Sequence, residues 1–182
     1  MDSPMSHFHF KLTTFIYRFR DLLLPRKKVL KEVGIRPGFH VLDFGCGPGA
    51  YIMETAQLVG QSGKIYALDI HPLAIKKVRE ITSKRNLGNV ESILSNCKTD
   101  LPDNSVDVVL LYDVFHNLSE PDAVLSQLHR VLKSDGILSF SDHHMKEDEI
   151  ISKITRGGLF SLSGRGKKTY TFYKIPSASA KQ

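Results

Sequence analysis

The stretch from Val41 to Gly49 combines residue types that can hold a polar ligand. It contains the carboxylate of Asp43 and, after it, three alternate glycines, which are Gly45, Gly47 and Gly49. Apolar residues precede the stretch and a helical pattern follows it, so we predict a buried strand, a tight turn and a helix. Because glycine has no Cβ, a ligand could approach the backbone of the turn closely. The free amides at the start of the helix would then face that ligand.

Two ligand classes use such a loop. The pattern Gly-x-Gly-x-x-Ala that begins at Gly45 satisfies a dinucleotide-binding fingerprint, and Asp69 follows at a distance suited to a ribose. Two features argue against a pyrophosphate, since the carboxylate of Asp43 would repel phosphate and Pro48 has no amide to donate. Asp43 instead favours a ligand that carries an ammonium or sulfonium charge.

The segment 43–49 resembles the first motif of the class I S-adenosylmethionine-dependent methyltransferases and reproduces that motif in full. The resemblance implies that S-adenosylmethionine is the cofactor. It implies cofactor contacts for Asp43, Gly45, Cys46, Gly47, Gly49, Asp69, Ile70, Asn96, Cys97 and Tyr112. The family has an acidic residue at the position of Asn96, and the backbone amide of the next residue, here Cys97, contacts the adenine. Asparagine can still accept a hydrogen bond from the adenine amino group.

Asp69 ends a second predicted strand, over residues 64–69, at the edge where a parallel sheet binds ligands. Its carboxylate could accept hydrogen bonds from both vicinal hydroxyls of a ribose, which is the role that the resemblance implies. Alternatively, it could cap the helix predicted over residues 73–84, because an acidic group is favourable near a helix N-terminus. The two roles are compatible, and we favour the ribose contact.

Asp113 and His116 follow the most apolar predicted strand, over residues 106–112. Loops beyond the carboxyl ends of central strands commonly carry reacting groups, so we predict that these two side chains contact the substrate or the methionine end of the cofactor. His116 could act as a general base near neutral pH. It could also simply pack over the cofactor, and the sequence does not separate these two roles.

A second polar cluster, formed by Asp142, His143 and His144, follows the strand predicted over residues 137–141. Together with Asp113, the first two of these residues could bind a divalent cation. Magnesium sites usually contain more carboxylates or an amide, and no spacing typical of zinc is present. We therefore predict no metal here, and expect the cluster to contact substrate or solvent.

The candidate site residues named above follow strands that alternate with helices, which predicts an α/β scaffold. Strands are predicted over residues 39–42, 64–69, 90–95, 106–112 and 137–141. Helices are predicted to begin at residue 51, to span 73–84 and 120–132, and to run from 146 to near 157. A final β-hairpin is predicted over residues 159–162 and 169–173. The resemblance implies a Rossmann-like sheet of seven mostly parallel strands, with helices on both faces and an antiparallel closing hairpin. The first and fourth strands would lie side by side.

Three regions are expected along the chain. Residues 1–33 are a predicted helical cover, in which Pro25 separates an amphipathic helix from a short one over 26–33. Residues 34–175 are the predicted methyltransferase domain, and 176–182 a disordered tail. In the family such N-terminal helices cover the cofactor and help to form the substrate pocket, although they could merely cap the sheet.

Composition limits the remaining possibilities. A chain of 182 residues with 41% hydrophobic and 24% charged residues fits one soluble domain, and no apolar run suggests a membrane span or signal peptide. The two cysteines are expected to be reduced, and we predict a cytoplasmic protein. The net charge of +6 could attract nucleic acid, but the basic residues are spread along the chain and are better explained as solvated helix faces.

We therefore predict a monomeric or homodimeric enzyme that methylates a small molecule. The turn over residues 101–105 and the segment 113–116 resemble methyltransferases of the ubiquinone and menaquinone biosynthesis type. Three alternatives stay open: an RNA or protein methyltransferase that uses the basic surface, a regulator that binds S-adenosylmethionine without turnover, and a nicotinamide oxidoreductase. The last is disfavoured by Asp43 and by the lack of an evident partner for hydride transfer.

Overall fold

The computed structural model describes residues 26–176, which form a seven-stranded sheet in the order β3-β2-β1-β4-β5-β7-β6. The strands are β1 (His40–Phe44), β2 (Lys64–Asp69), β3 (Val90–Leu94), β4 (Val106–Tyr112), β5 (Leu132–Ser141), β6 (Phe160–Arg165) and β7 (Tyr170–Lys174). The helices are α1 (Arg26–Val33), α2 (Ile52–Val59), α3 (Pro72–Arg85), α4 (Pro121–Val131) and α5 (Glu147–Thr155), with a short 3₁₀ helix over Phe115–Asn117. Strands β1 to β5 are parallel, and β7 is antiparallel to both of its neighbours.

The predicted fold is confirmed, including the adjacency of the first and fourth strands. Along β1, Val41 faces a core shared with α1, α2 and α3, whereas Leu42 and Phe44 face a second core shared with α4 and α5. Helices therefore cover both faces of the sheet. Every residue of β4 except Asp107 is buried, which explains why this strand reads as a nearly continuous apolar run.

The largest difference from the predicted elements is at β5. This strand begins at Leu132, directly after α4, whereas it was predicted to start only at residue 137, after a turn formed by Ser134, Asp135 and Gly136. The pairing with β4 shifts from Val106↔Leu132 to Val108↔Ile137, so the extra residues form a bulge. A bulge with turn-forming residues is difficult to distinguish from a turn in sequence.

Two other boundaries also differ in detail. Helix α3 spans Pro72–Arg85, one residue longer at each end than the predicted 73–84, and Asn86 caps it in the left-handed conformation with φ +51°. The closing hairpin is confirmed, but β6 continues to Arg165. Of the predicted N-terminal cover, α1 is present as expected, while the longer helix before Pro25 and the predicted tail after Pro176 lie outside the described residues. Within 26–176, no helix is long and apolar enough to cross a membrane.

Candidate cofactor and acceptor site

The glycine loop leaves the carboxyl end of β1 in a conformation that requires glycine. Gly45, Gly47 and Gly49 have φ of +75°, +52° and +84°, where other residues are strained. The amides of Gly45 and Cys46 both donate to the carbonyl of Leu68 at the end of β2, which fixes the loop to the sheet. A Cβ on Gly47 would meet no atom of the described residues within 4 Å, so among them the backbone there is open to a ligand.

Asp43 lies beneath this loop and is 4% exposed. Its Oδ2 atom is buried and has no hydrogen-bond partner among the described residues. Burial raises the pKa of Asp43 from 3.8 to about 7, while the charge of Arg26 lowers it and the carboxylate of Asp69 raises it. An unsatisfied buried acceptor is costly, so this atom is suited to a cationic donor that enters the loop.

Asp69 holds two loops together at the end of β2. Its Oδ2 accepts a hydrogen bond from the Gly47 amide at 2.8 Å, and its Oδ1 accepts one from the His71 amide at 2.7 Å. Burial raises the pKa of Asp69, and hydrogen bonds from backbone amides lower it. Asp69 is not the cap of α3, because His71 takes that position and accepts from the Leu73 amide. Each carboxylate oxygen still has a lone pair for a ribose hydroxyl.

The other residues predicted to contact the cofactor surround the same edge of the sheet. The amide of Ser95, just before Asn96 and Cys97, donates to the carbonyl of Asp69 at 3.1 Å, so the third strand end is tied to the second. The side chain of Cys97 packs against the core. Ile70 follows β2 and is partly exposed. Their contacts with a cofactor stay predictions.

Cys46 and Tyr112 use their polar groups within the protein. The Cys46 thiol lies 3.6 Å from the Gly47 carbonyl, and burial, with the nearby carboxylates of Asp43 and Asp69, raises the pKa of this thiol. The buried Tyr112 hydroxyl lies 2.7 Å from Ser139 Oγ, and its ring meets the edge of Tyr51 at a centroid distance of 5.1 Å. Cys46 and Tyr112 can therefore offer a ligand mainly shape and apolar surface.

The ends of β4 and β5 bring the predicted acceptor-side residues together. His116 Nδ1 lies 2.9 and 2.8 Å from the two carboxylate oxygens of Asp142, whose side chain is fully buried. The backbone amides of His116 and His144 also donate to this carboxylate. His143 Nδ1 lies 2.7 Å from Asp113 Oδ1, which also accepts from the His143 amide. Asp113 and His116 thus each have a hydrogen-bond partner in the segment that follows β5, the strand next to β4.

The segment after β4 that carries Asp113 and His116 packs directly against the glycine loop. A Cβ on Gly45 would lie 2.8 Å from the side chain of Val114, the neighbour of Asp113. The pairing of Asp142 with His116 is a contact that the sequence did not indicate, although both residues follow strands that a parallel sheet places side by side. The position of Arg26, which stacks 4.9 Å from the Tyr51 ring centroid and acts on Asp43, had no signal in the sequence.

Comparisons with known proteins agree with this geometry. Residues 35–168 match a family model described as a methyltransferase domain. The chain is 32% identical over 130 residues to the ubiquinone/menaquinone biosynthesis C-methyltransferase UbiE of Pseudoalteromonas translucida, a match that covers 70% of this chain and 52% of that protein. It is also 32% identical over 130 residues to the demethylmenaquinone methyltransferase of Geobacillus stearothermophilus, covering 71% of this chain and 56% of the relative. The chain thus spans about half the length of the curated relatives it matches.

A solved structure, a SAM-dependent methyltransferase from Aquifex aeolicus, is similar in fold and length. It superimposes with a TM-score of 0.74 at 32% sequence identity, covering 85% of this chain and 91% of the other. This likeness therefore extends over nearly the whole of that protein.

Proposed function

Because the chain belongs to the methyltransferase-domain family, we propose that it transfers a methyl group from S-adenosylmethionine to a small-molecule acceptor. The observation that carries this proposal is the buried Oδ2 of Asp43, which lacks a hydrogen-bond partner among the described residues and lies at the end of β1, directly before the glycine loop. The ammonium group of the methionine moiety would supply both the hydrogen bond and the positive charge that this carboxylate needs.

The cofactor, when bound, supplies a methyl group on a positively charged sulfur, which a nucleophile can displace in line. The glycine loop and Asp43 hold the methionine end, and Asp69 holds the ribose. His116 and Asp113 lie at the adjacent strand end and face the acceptor. Where the acceptor must lose a proton, His116 takes it at Nε2, because Nδ1 is occupied by Asp142. The Asn117 side-chain amide, whose nitrogen lies 2.8 Å from Nε2, must first turn away from that lone pair.

We propose a hydroxylated aromatic or quinone-type acceptor. The names of the two relatives above refer to ubiquinone, menaquinone and demethylmenaquinone. An aromatic ring that carries a hydroxyl becomes a better nucleophile at oxygen or carbon when that hydroxyl loses its proton, which suits a histidine base. A positioned base of this kind contributes a rate factor of roughly 10² to 10⁴.

Calorimetric titration with S-adenosylmethionine, S-adenosylhomocysteine and NAD tests the cofactor. We expect both adenosyl ligands to bind and NAD not to bind. Replacing the carboxylate in Asp43→Asn removes a charge-assisted hydrogen bond to the ligand and should lower the affinity for S-adenosylmethionine roughly tenfold or more. The matched control is Asp103→Asn, because Asp103 is an exposed carboxylate that pairs with Arg130. Binding of NAD alone would overturn the proposal.

Transfer of labelled methyl tests the acceptor class. Hydroquinones and phenols should accept label in the presence of the wild-type protein, while mixed RNA and a protein extract should not. Label on RNA or protein instead would identify a macromolecular acceptor. If S-adenosylmethionine binds but no acceptor in any class takes up label, the non-catalytic regulator replaces the proposed enzyme.

A further inference from the structure

We propose that Asp113, Asp142 and His143 form a binding site for a divalent transition-metal ion at the carboxyl edge of β4 and β5. One ligand atom from each of these residues lies within 4.8 Å of the other two. From the sequence we predicted no metal, because magnesium sites usually contain more carboxylates or an amide and no spacing typical of zinc is present. The parallel pairing of β4 with β5 brings them to one place.

The donor set determines which ions fit. Two carboxylates and one imidazole combine hard oxygen ligands with a borderline nitrogen ligand, a set that suits Mn²⁺, Fe²⁺ or Zn²⁺. Mg²⁺ and Ca²⁺ prefer oxygen ligands alone, so the imidazole of His143 disfavours them. Three protein ligands also leave coordination positions open to water or to an oxygen of a bound molecule.

The two loops are fixed before any ion arrives. The Asp113 amide donates to the Ser141 carbonyl at 2.7 Å, and Asp113 has φ +52°, in the left-handed region. The Asp142 carboxylate accepts from the backbone amides of His116 and His144, each at 3.1 Å. Ligands that the backbone already orients lose little conformational freedom when an ion binds, which favours binding.

Burial and access also suit a site of this kind. The side chain of Asp142 is fully buried, that of Asp113 is 18% exposed, and that of His143 is 49% exposed. An ion could therefore enter from the His143 side. Asp142 is held by His116 and by two backbone amides, and no lysine or arginine among the described residues forms an ion pair with it, so a bound cation would add a positive charge beside this carboxylate.

The surroundings provide outer contacts that metal sites commonly have. His116 Nδ1 bonds the Asp142 carboxylate and so orients it, as outer-shell groups orient metal ligands. The ring of His144 lies between those of His116 and His143, at centroid distances of 4.2 and 3.9 Å. The ion would lie on the acceptor side, where an open coordination position could hold an acceptor oxygen. This last role rests on the proposed function, whereas the site itself does not.

Titration of the chelator-stripped, untagged protein with Mn²⁺ tests the site, using calorimetry and the electron paramagnetic resonance signal of free Mn²⁺. We expect one ion per chain, with Mg²⁺ binding more weakly. Asp113→Asn and His143→Gln should each lower the Mn²⁺ affinity by about a hundredfold, at least as much as losing an outer-shell partner. His40→Gln is the matched control, because His40 lies at the opposite end of β1.

A double variant, His7→Gln with His9→Gln, tests whether the histidines that precede residue 26 bind the ion instead. This variant should keep the wild-type affinity for Mn²⁺. A measurement on the wild type avoids variants that fail to fold: Mn²⁺ should broaden the imidazole proton resonances of His143 and His144 at much lower concentrations than those of His40, because the broadening falls steeply with distance from the ion. Absence of Mn²⁺ and Zn²⁺ binding, or affinity unchanged by Asp113→Asn and His143→Gln, would overturn the site. Titration of S-adenosylmethionine in the presence of chelator tests the proposed function independently of this result.

Discussion

His116 presents one ring nitrogen to a buried carboxylate and the other to the exposed side of the sheet edge. Nδ1 lies 2.9 and 2.8 Å from the two oxygens of Asp142, and Nε2 lies 2.8 Å from the side-chain nitrogen of Asn117. Because an ionised carboxylate only accepts hydrogen bonds and an amide nitrogen only donates, Nδ1 carries the proton and Nε2 carries the lone pair. Asp142 is thus a positioning residue that holds His116 in the tautomer needed for a base.

The first prediction concerns this pair. We expect His116→Gln to lower the rate of methyl transfer to a phenolic acceptor by roughly 10² to 10⁴, and Asp142→Asn to lower it less, with little change in S-adenosylmethionine affinity. An acidic phenol that is already ionised at the assay pH should react at nearly the wild-type rate in both variants. The measurement is kcat for the two acceptors.

His144→Gln is the control for this prediction, because its ring contacts His116 but its side chain has no bond to Asp142. It should leave both rates near wild type. Equal losses for the ionised and the protonated phenol in His116→Gln would contradict a base and would indicate that His116 only packs against the ligands.

Local sequence patterns were sufficient for the parts of the site that lie within one segment. The glycine loop after β1 and the carboxylate at the end of β2 follow from short runs of apolar residues, glycines and turn residues. The order of the strands came from the resemblance to a family. Together these predicted the edge of the sheet at which Asp43, Asp69, Asp113 and His116 are found.

Contacts between distant segments could not be predicted in the same way. The bond between His116 and Asp142 depends on the register of β4 and β5, which the bulge after Leu132 shifts. That Asp43 Oδ2 has no hydrogen-bond partner in the described part of the chain depends on how completely the neighbouring elements bury it. Such facts depend on packing in three dimensions, and a one-residue change in register would alter them.

A second prediction follows from the buried carboxyl of Asp43. Its pKa is raised from 3.8 to about 7, chiefly by burial, so the folded protein holds this proton more tightly than the unfolded chain does. The contribution of Asp43 to the free energy of unfolding should therefore be complete below pH 3.8 and decrease as the pH rises to about 7. In the absence of ligand, the full decrease is at most about 4 kcal/mol.

Urea unfolding of the wild type and Asp43→Asn across this pH range measures the effect. The wild type should lose stability relative to the variant as the pH rises, because asparagine does not titrate. S-adenosylmethionine should favour the charged carboxylate, so its binding near pH 6 should release a proton from the wild type but not from Asp43→Asn. Calorimetry in two buffers of different ionisation enthalpy detects that proton, and parallel stability curves would contradict the raised pKa.

A third prediction separates the structural from the ligand-facing glycines. Gly45→Ala should lower the free energy of unfolding by about 2 to 4 kcal/mol, because the new methyl group meets Val114 and the residue keeps a positive φ. Gly47→Ala should lower the free energy of unfolding by only about 1 kcal/mol, since no atom of residues 26–176 lies within 4 Å of its new Cβ. Gly47→Ala should nevertheless lower the affinity for S-adenosylmethionine more than tenfold, because the added methyl group would occupy space that the ligand needs.

Gly88→Ala is the control for these substitutions. Gly88 has no positive φ, and a Cβ there would also meet nothing within 4 Å. The Gly88→Ala variant should match the wild type in its free energy of unfolding and in its affinity for S-adenosylmethionine. If Gly47→Ala instead bound S-adenosylmethionine as tightly as Gly88→Ala, the ligand would not approach the backbone at this loop.

The fourth prediction concerns Glu32, which ties α1 to the turn between β6 and β7. Its Oε2 accepts hydrogen bonds from the amides of Lys168 and Thr169 and from the hydroxyl of Thr169, at 3.1, 3.2 and 2.9 Å. The same helix carries Arg26, whose guanidinium stacks on Tyr51 beside the glycine loop. Helix α1 thus joins the closing hairpin to the cofactor side of the sheet edge.

We expect Glu32→Ala to lower the free energy of unfolding by about 1 to 2 kcal/mol and to speed hydrogen exchange at the amides of Lys168 and Thr169. Gly166→Ala should have a similar effect, because its Cβ would displace Glu32 Oε2 from the turn. Lys31→Ala, an exposed change on the same helix, should have little effect. If α1 covers the bound ligands, Glu32→Ala should also raise KM for the acceptor. An unchanged KM with faster exchange would restrict Glu32 to holding the hairpin.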